Sequence, residues 1–276
     1  MRVGFFGVRG STPCASPVTM RYGGNTSCVG LEIDGVDSIV FDLGTGLRLW
    51  GESLHQRPLR AHALVTHLHW DHIQGLPFLA SIHDPDAHLD VYGPSHDGIG
   101  IAESFDVFMN PPLFPIQSSD LQGEVVFHDV SNESFEIGSA TVTTAQVPHV
   151  GATNGYRVET AGAAVAYVSD HQEPVGRPDH VDERVLALCR DVDILIHDAQ
   201  YTSDEFRMKS DWGHCTVPYA VEVAAQAGAK TLALFHHDPS HCDDSVDTLL
   251  EMARSLAAAQ HIEIVAAAEG MKLECG

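Results

Sequence analysis

Basic charge is what this 276-residue chain has least of: 15 Lys and Arg stand against 38 Asp and Glu, a formal net charge of −23, and only three of the 15 are lysine. Such a surface repels polyanions at long range, and no local basic patch offsets it, so neither duplex nucleic acid nor an anionic membrane is expected as a partner. Cysteine is spread too thinly for a Cys-based zinc site. Cys14, Cys28, Cys189, Cys215, Cys242 and Cys275 contain no CxxC pair, which reads as free thiols in a reducing compartment. No apolar run approaches the roughly 18 residues of a membrane span, and the opening "MRVGFFGVRGSTP" lacks the basic and apolar regions of a secretory signal. A cytoplasmic protein acting on small substrates is the expectation.

What the chain does contain is a long series of β-type runs: "RVGFFG", "SCVGLEI", "SIVFDLG", "AHALVTH", "LDVYG", "EVVFHDV", "TVTTAQVPH", "GYRVE" and "AAVAYVSDH". Several alternate apolar and polar residues as half-buried strands do. Helical periodicity is clearest in "VDERVLALCRD", "TVPYAVEVAAQAG" and "SVDTLLEMARSLAAAQ", and short helices are expected after "DLGTG" and "DHIQG". The length suits one globular domain over residues 1–276. The stretch from Gly93 to Gln122, with "FDVFMNPPLFP" inside it, is the least regular and is a candidate lid or insertion.

Residues 66 to 72, "THLHWDH", place three histidines and an aspartate directly after the apolar "ALV". In an extended or looped backbone His67 and His69 point to the same side, and a turn brings Asp71 and His72 round to them. A helical HExxH arrangement needs histidines four apart, and that spacing pairs His67 only with Asp71. A loop at a strand end is therefore the better reading. Paired metals need about three further ligands beyond these four. Candidates stand where other β runs stop: His149 in "VPH", Asp170 in "YVSD", and His236 and His237 in "LALFHH". Singly, His149 reads equally well as a surface histidine and Asp170 as a turn or cap residue.

In this order the four stretches resemble the metallo-β-lactamase superfamily, whose HxHxDH motif, later histidine, bridging aspartate and final histidine build a two-metal site. The resemblance implies an α/β (α+β) fold, a four-layer αββα sandwich with the metals at one edge. It implies that His67, His69 and His149 hold one divalent ion, that Asp71, His72 and His236 hold the other, and that Asp170 bridges them. Zinc suits these ligands, and manganese or iron is compatible. His237, on the opposite side of a period-two strand, is assigned to substrate contact or to supporting the ligands.

"ILIHDAQY" and "GHCTVPYAVEVAAQAGAKTLALFHH" further resemble the phosphodiesterase branch that includes ribonuclease Z, and "GVRGSTP", "RYGGNTSC" and "FDLGTG" resemble that branch and its relatives acting on cyclic phosphates. This implies hydrolysis of a small phosphodiester, with Asp71, His214 and Asp198 as candidate catalytic residues. His214 would protonate the leaving group and Asp198 would orient it and raise its pKa. Two departures stand out. There is no glycine-rich basic arm to grip tRNA, and Gln200 and Tyr201 replace the branch's Thr-Phe pair. Arg9 or Arg21 is a candidate for attracting the substrate's charge, with a plain surface role as the competing reading. Asn25 reads as a turn residue, and Asp42 as a hydrogen-bond partner of a ligand histidine. The competing functions are a thioester, lactone or β-lactam hydrolase on the same metal core, an RNA-processing nuclease, and a metal-bearing interaction protein without turnover. A homodimer is left open.

Overall fold

In the computed structural model, which describes residues 1–55 and 57–275, the first half of the chain runs β1 (Arg2–Gly7), β2 (Cys28–Glu32), β3 (Ser38–Phe41), α1 (Leu47–Ser53), β4 (Arg60–Leu64), α2 (Trp70–Ile73), β5 (His88–Gly93), α3 (Ile101–Phe108) and β6 (Glu124–Asp129). The second half runs β7 (Glu133–Ile137), β8 (Ala140–Gln146), β9 (Asn154–Thr160), β10 (Ala163–Val168), α4 (Glu183–Cys189), β11 (Ile194–Asp198), α5 (Ser203–Lys209), α6 (Val217–Ala227), β12 (Thr231–Phe235), α7 (Asp243–Ala257), β13 (Glu263–Ala266) and β14 (Lys272–Glu274). Among the described residues the strands form two seven-stranded sheets, ordered β14-β1-β2-β3-β4-β5-β6 and β13-β12-β11-β10-β9-β8-β7.

Strand alternation explains the layering. On β10, Val165 and Tyr167 enter the core between the sheets, while Ala164, Ala166 and Val168 face α4, α6 and α7. On β3, Ile39 and Phe41 face the partner sheet and Val40 faces the helices on the far side. Strands buried on both faces read as continuous apolar runs, which is the pattern of "AAVAYV" and "LALF". Each fully buried Phe, Leu or Val contributes roughly 1.5–3 kcal/mol, and three such cores hold the four layers helix, sheet, sheet, helix. The fold is thus the αββα sandwich expected from the sequence.

Local chemistry sets the helix ends. The Thr216 hydroxyl accepts the N–H of Tyr219 at 3.2 Å to start α6, and Gly228 ends it at φ +71°. Several elements escaped the periodicity reading: β7, β13 and β14 are short and carry Glu or Lys, and α5 has a single buried side chain, Phe206. The helix expected after "DHIQG" is instead two 3-10 turns, Leu76–Phe78 and Ala80–His83, with Pro77 in the first. The 93–122 segment is also more ordered than its sequence suggests, since α3 lies within it and buries Ile101, Phe105 and Met109 against the first sheet. All six cysteines are free. Among the described residues no helix is long and apolar enough to cross a membrane.

Candidate metal centre

Strand direction brings the candidate site together. β10, β11 and β12 are mutually parallel, and β8 runs the same way because β9 is antiparallel to both β8 and β10. Their ends deliver His149, Asp170, Asp198 and His236 to one edge, where β4 of the other sheet delivers His67 to His72. His67 and His69 lie in the extended loop after β4, and Asp71 and His72 lie in the single turn of α2.

The inward atoms form four overlapping groups, each within 4.8 Å of one another: His67, His69 and His149; Asp71, His72 and His236; His67, His72 and Asp170; and Asp170, His214 and His236. His67 Nε2 is 2.8 Å from His69 Nδ1, and His149 Nε2 is 3.4 Å from the same atom. His236 Nε2 lies 3.1 Å from Asp71 Oδ2 and 3.3 Å from His72 Nε2. Asp170 stands between the first two groups with its oxygens divided. Oδ2 is 3.9 Å from His67 Nε2 and 3.8 Å from His149 Nε2, whereas Oδ1 is 3.3 Å from His72 Nε2 and 3.5 Å from His236 Nε2.

The opposite ring nitrogens decide what these atoms offer. His72 Nδ1 donates to Asp42 Oδ2 at 2.8 Å, His149 Nδ1 to the Gly213 carbonyl at 2.6 Å, and His236 Nδ1 to Gln200 Oε1 at 2.9 Å. Each bond fixes the tautomer whose Nε2 carries a lone pair toward the centre. Burial keeps His67 and His149 in the neutral form, lowering the pKa of the latter to about 4. Burial would raise the pKa of Asp170, but His236 and His72 outweigh it and hold the carboxyl well below its usual range. Lone pairs and carboxylates converging in this way repel one another unless cations lie among them, and a nitrogen and oxygen donor set of this kind fits divalent metal ions.

Asp42 is fully buried and accepts four hydrogen bonds: from Thr66 N at 2.8 Å and Thr66 Oγ1 at 3.0 Å on Oδ1, and from Tyr167 Oη and His72 Nδ1, each at 2.8 Å, on Oδ2. Its backbone, at φ +57°, is left-handed. The hydrogen bond expected between Asp42 and one of the candidate ligand histidines is present, to His72. Asn25 is a turn residue tied to Glu269 through both its N–H and its side chain. Two glycines clear room for rings: a Cβ on Gly10 would lie 2.4 Å from His236 Cε1, and one on Gly213 2.3 Å from His149 Nδ1.

His214 stands just before α6, its Nδ1 3.0 Å from Asp198 Oδ2 and 3.6 Å from Asp170 Oδ2. Burial opposes protonation of His214, but the carboxylates of Asp198, Asp170 and Asp71 outweigh it and raise the pKa. Asp198 also accepts the N–H groups of His171 and Gln200, so it braces its loop and holds His214 at once.

Two sequence expectations need correction, those for His237 and Arg9, while Arg21 takes the surface role that was its competing reading. His237 makes no contact with the centre. The chain turns at His236, where φ is +57°, and His237 is buried on the other side, donating from Nε2 to the Ala267 carbonyl at 2.9 Å. Arg9 is neither a surface residue nor a substrate anchor, because its buried guanidinium donates to the carbonyls of Gly23, Asp238 and His241. Arg21 is bound on the surface by Asp247, at 2.8 and 2.7 Å. Sequence reasoning missed Gln200, Ser11 and Tyr167. Gln200 was legible only as a departure from the branch pattern, and Ser11, whose N–H donates to Asp71 Oδ2 at 2.7 Å, gave no signal.

Fold and site together define a metal-dependent hydrolase. The chain belongs to the metallo-β-lactamase superfamily: the family model described as "Beta-lactamase superfamily domain" matches residues 38–237. Ribonuclease Z of Natronomonas pharaonis is 28% identical over 88% of this chain and 89% of its own length. Two solved structures share the fold. The metallo-β-lactamase fold protein YhfI of Bacillus subtilis has a TM-score of 0.75 at 19% identity, covering 99% of this chain and 98% of its own. A diphosphatase of the PhnP family has a TM-score of 0.70 at 20% identity, covering 99% and 97%.

Proposed function

We propose that the protein is a dinuclear phosphodiesterase that hydrolyses a small phosphodiester, such as a cyclic nucleotide or cyclic phosphate. In this reading His67, His69 and His149 would hold one ion and Asp71, His72 and His236 the other, with Asp170 available to both. When bound, two divalent cations, Zn2+ by preference with Mn2+ or iron as alternatives, supply Lewis acidity toward the phosphoryl oxygens and acidify water. The chain's own groups do the rest. Asp71, bordering the cleft, accepts the proton of the attacking water. Asp198 anchors His214 through Nδ1, so that Nε2 is left to protonate the departing oxygen. The observation that carries the reading is this His214–Asp198 pair beside the divided carboxylate, since hydrolysis of an ester or lactam does not call for that histidine in the same role.

The acidic surface and the lack of Lys or Arg among the described residues lining the cleft favour a small substrate. Residues 93–122 act as a fixed wall of the cleft, because α3 is anchored in the core. The zinc-loaded protein is expected to release p-nitrophenolate from bis(p-nitrophenyl) phosphate and to stop on addition of chelator. Two bound metals with no turnover of any phosphodiester would overturn the reading. RNA processing is the second reading, favoured by the ribonuclease Z relatives. Cleavage of precursor tRNA at a higher kcat/KM than any small phosphodiester would establish it instead.

A further inference from the structure

We infer that the apolar pocket between α3 and the 149–152 loop binds a flat apolar or aromatic group carried by a singly charged phosphodiester. This rests on the phosphodiesterase reading and adds to it the chemistry of the substituent. Two cavities meet at His69 and Val150: one of about 580 Å³, which contains Asp71, Asp170, His214 and His236, and one of about 470 Å³, which runs from His67 and His69 toward Ile99, Ser104 and Val107. A phosphoryl group at the candidate metal ligands in the first cavity therefore has an adjoining pocket for what it carries.

The second pocket is built rather than incidental. α3 buries Ile101 and Phe105, yet leaves Val107 66% exposed, and Ile99 just before the helix is 43% exposed. Core packing does not account for these two side chains, and both line the pocket. Its walls are tied together. His96 and Ile99 exchange backbone hydrogen bonds at 2.9 Å, and the Ala152 N–H donates to His96 Nδ1 at 3.4 Å. Gly151, at φ +89°, lets the loop close on His96, where a Cβ would lie 3.3 Å from Cε1.

Charge limits the occupant. Among the described residues lining either cavity there is no Lys or Arg, and Asp211 lines the larger one. A second negative charge on the ligand would meet no fixed cation there, whereas an apolar ring is matched by Val107, Ile99 and Leu68. Trp70 and Trp212, 72% and 60% exposed, flank the larger cavity and add aromatic surface at its mouth. Behind Trp212, Lys209 Nζ lies 5.5 Å from the ring centroid and is bound to Asp238 at 2.9 Å, so its charge is already matched.

The test uses two monoanions that lack a hydrolysable ester, methylphenylphosphinate and dimethylphosphinate, titrated calorimetrically into the zinc-loaded protein. The phenyl compound is expected to bind at least about tenfold more tightly. The ratio of the two affinities should fall toward one in Val107→Asp, and also in Val107→Trp, which fills the pocket at an exposed position that folding tolerates. Equal binding of both compounds to the unsubstituted protein overturns the pocket while leaving the phosphodiesterase reading intact, and so does a preference that survives both substitutions. Failure of both compounds to bind overturns the phosphodiesterase reading and this inference with it.

Discussion

Replacing Asp42 by Asn changes one atom in a buried site and should cost the protein much of its metal affinity. Asparagine tolerates the φ of +57° at this position, so the backbone is preserved. The carboxylate is surrounded by donors: Thr66 N and Oγ1 on one oxygen, Tyr167 and His72 Nδ1 on the other. An amide in either orientation sets its NH2 against a donor. The Thr66 N–H cannot change, but the His72 tautomer can, so the amide nitrogen turns to His72 and Nδ1 becomes the acceptor. Nε2 then carries the proton, and the lone pair that faces Asp71, Asp170 and His236 is lost. Substituting a partner of this kind typically costs 10–100-fold in metal affinity, or about 1.4–2.7 kcal/mol. Loss of buried hydrogen bonds should also lower the metal-free stability by about 1–3 kcal/mol. The assay is competition for zinc against a chromophoric chelator, with thermal unfolding of the metal-free protein confirming that the variant is folded. Zinc affinity equal to that of the unsubstituted protein, in a folded variant, would refute the reasoning.

Gly213→Ala places a methyl 2.3 Å from His149 Nδ1 at a position where φ is +93°; the ring must move, and elemental analysis should show bound zinc falling from two per chain toward one. His214→Ala should lower kcat by roughly 10²–10⁴-fold on a cyclic nucleotide, whose leaving alkoxide needs a proton. It should lower kcat far less on bis(p-nitrophenyl) phosphate, and equal losses on the two substrates would remove His214 from the role of acid. Away from the metal centre, Asp90 receives hydrogen bonds from His128 at 2.7 Å and His88 at 3.1 Å. Burial would raise the Asp90 pKa, but these bonds outweigh it and lower it, so the stabilisation is present above the ordinary carboxylate pKa near ~3.9 and is lost as the pH falls through the folded value. Asp90→Asn should therefore cost about 1–3 kcal/mol at pH 7, and the difference in urea midpoint should shrink on acidification below about pH 4.

Legibility in the sequence followed how local the determining physics is. The seven candidate metal ligands stand at or just after the ends of apolar runs, which made them candidates, and the family resemblance carried by the order of the motifs supplied both the ligand set and the sandwich. Asp42 was readable for the same reason, since it closes β3. Tyr167 reaches Asp42 across the two sheets, and Gln200 reaches His236 from the end of the neighbouring strand; nothing near either in the chain signals the partner it meets. His237 lies on the side opposite His236, as expected, but its role was misjudged because nothing in the sequence marks the Ala267 carbonyl that binds it. Arg9 was misread because its buried guanidinium is held by backbone carbonyls, which leave no signal in the sequence. The short polar strands at the sheet edges were missed because they bury too little to imprint a pattern.

The most direct test of the account is an anomalous difference map from zinc-soaked crystals, collected at the zinc edge. Two peaks are predicted, one enclosed by His67, His69 and His149 and the other by Asp71, His72 and His236, with an oxygen of Asp170 directed at each. A single peak, or zinc bound away from Asp170, would contradict it.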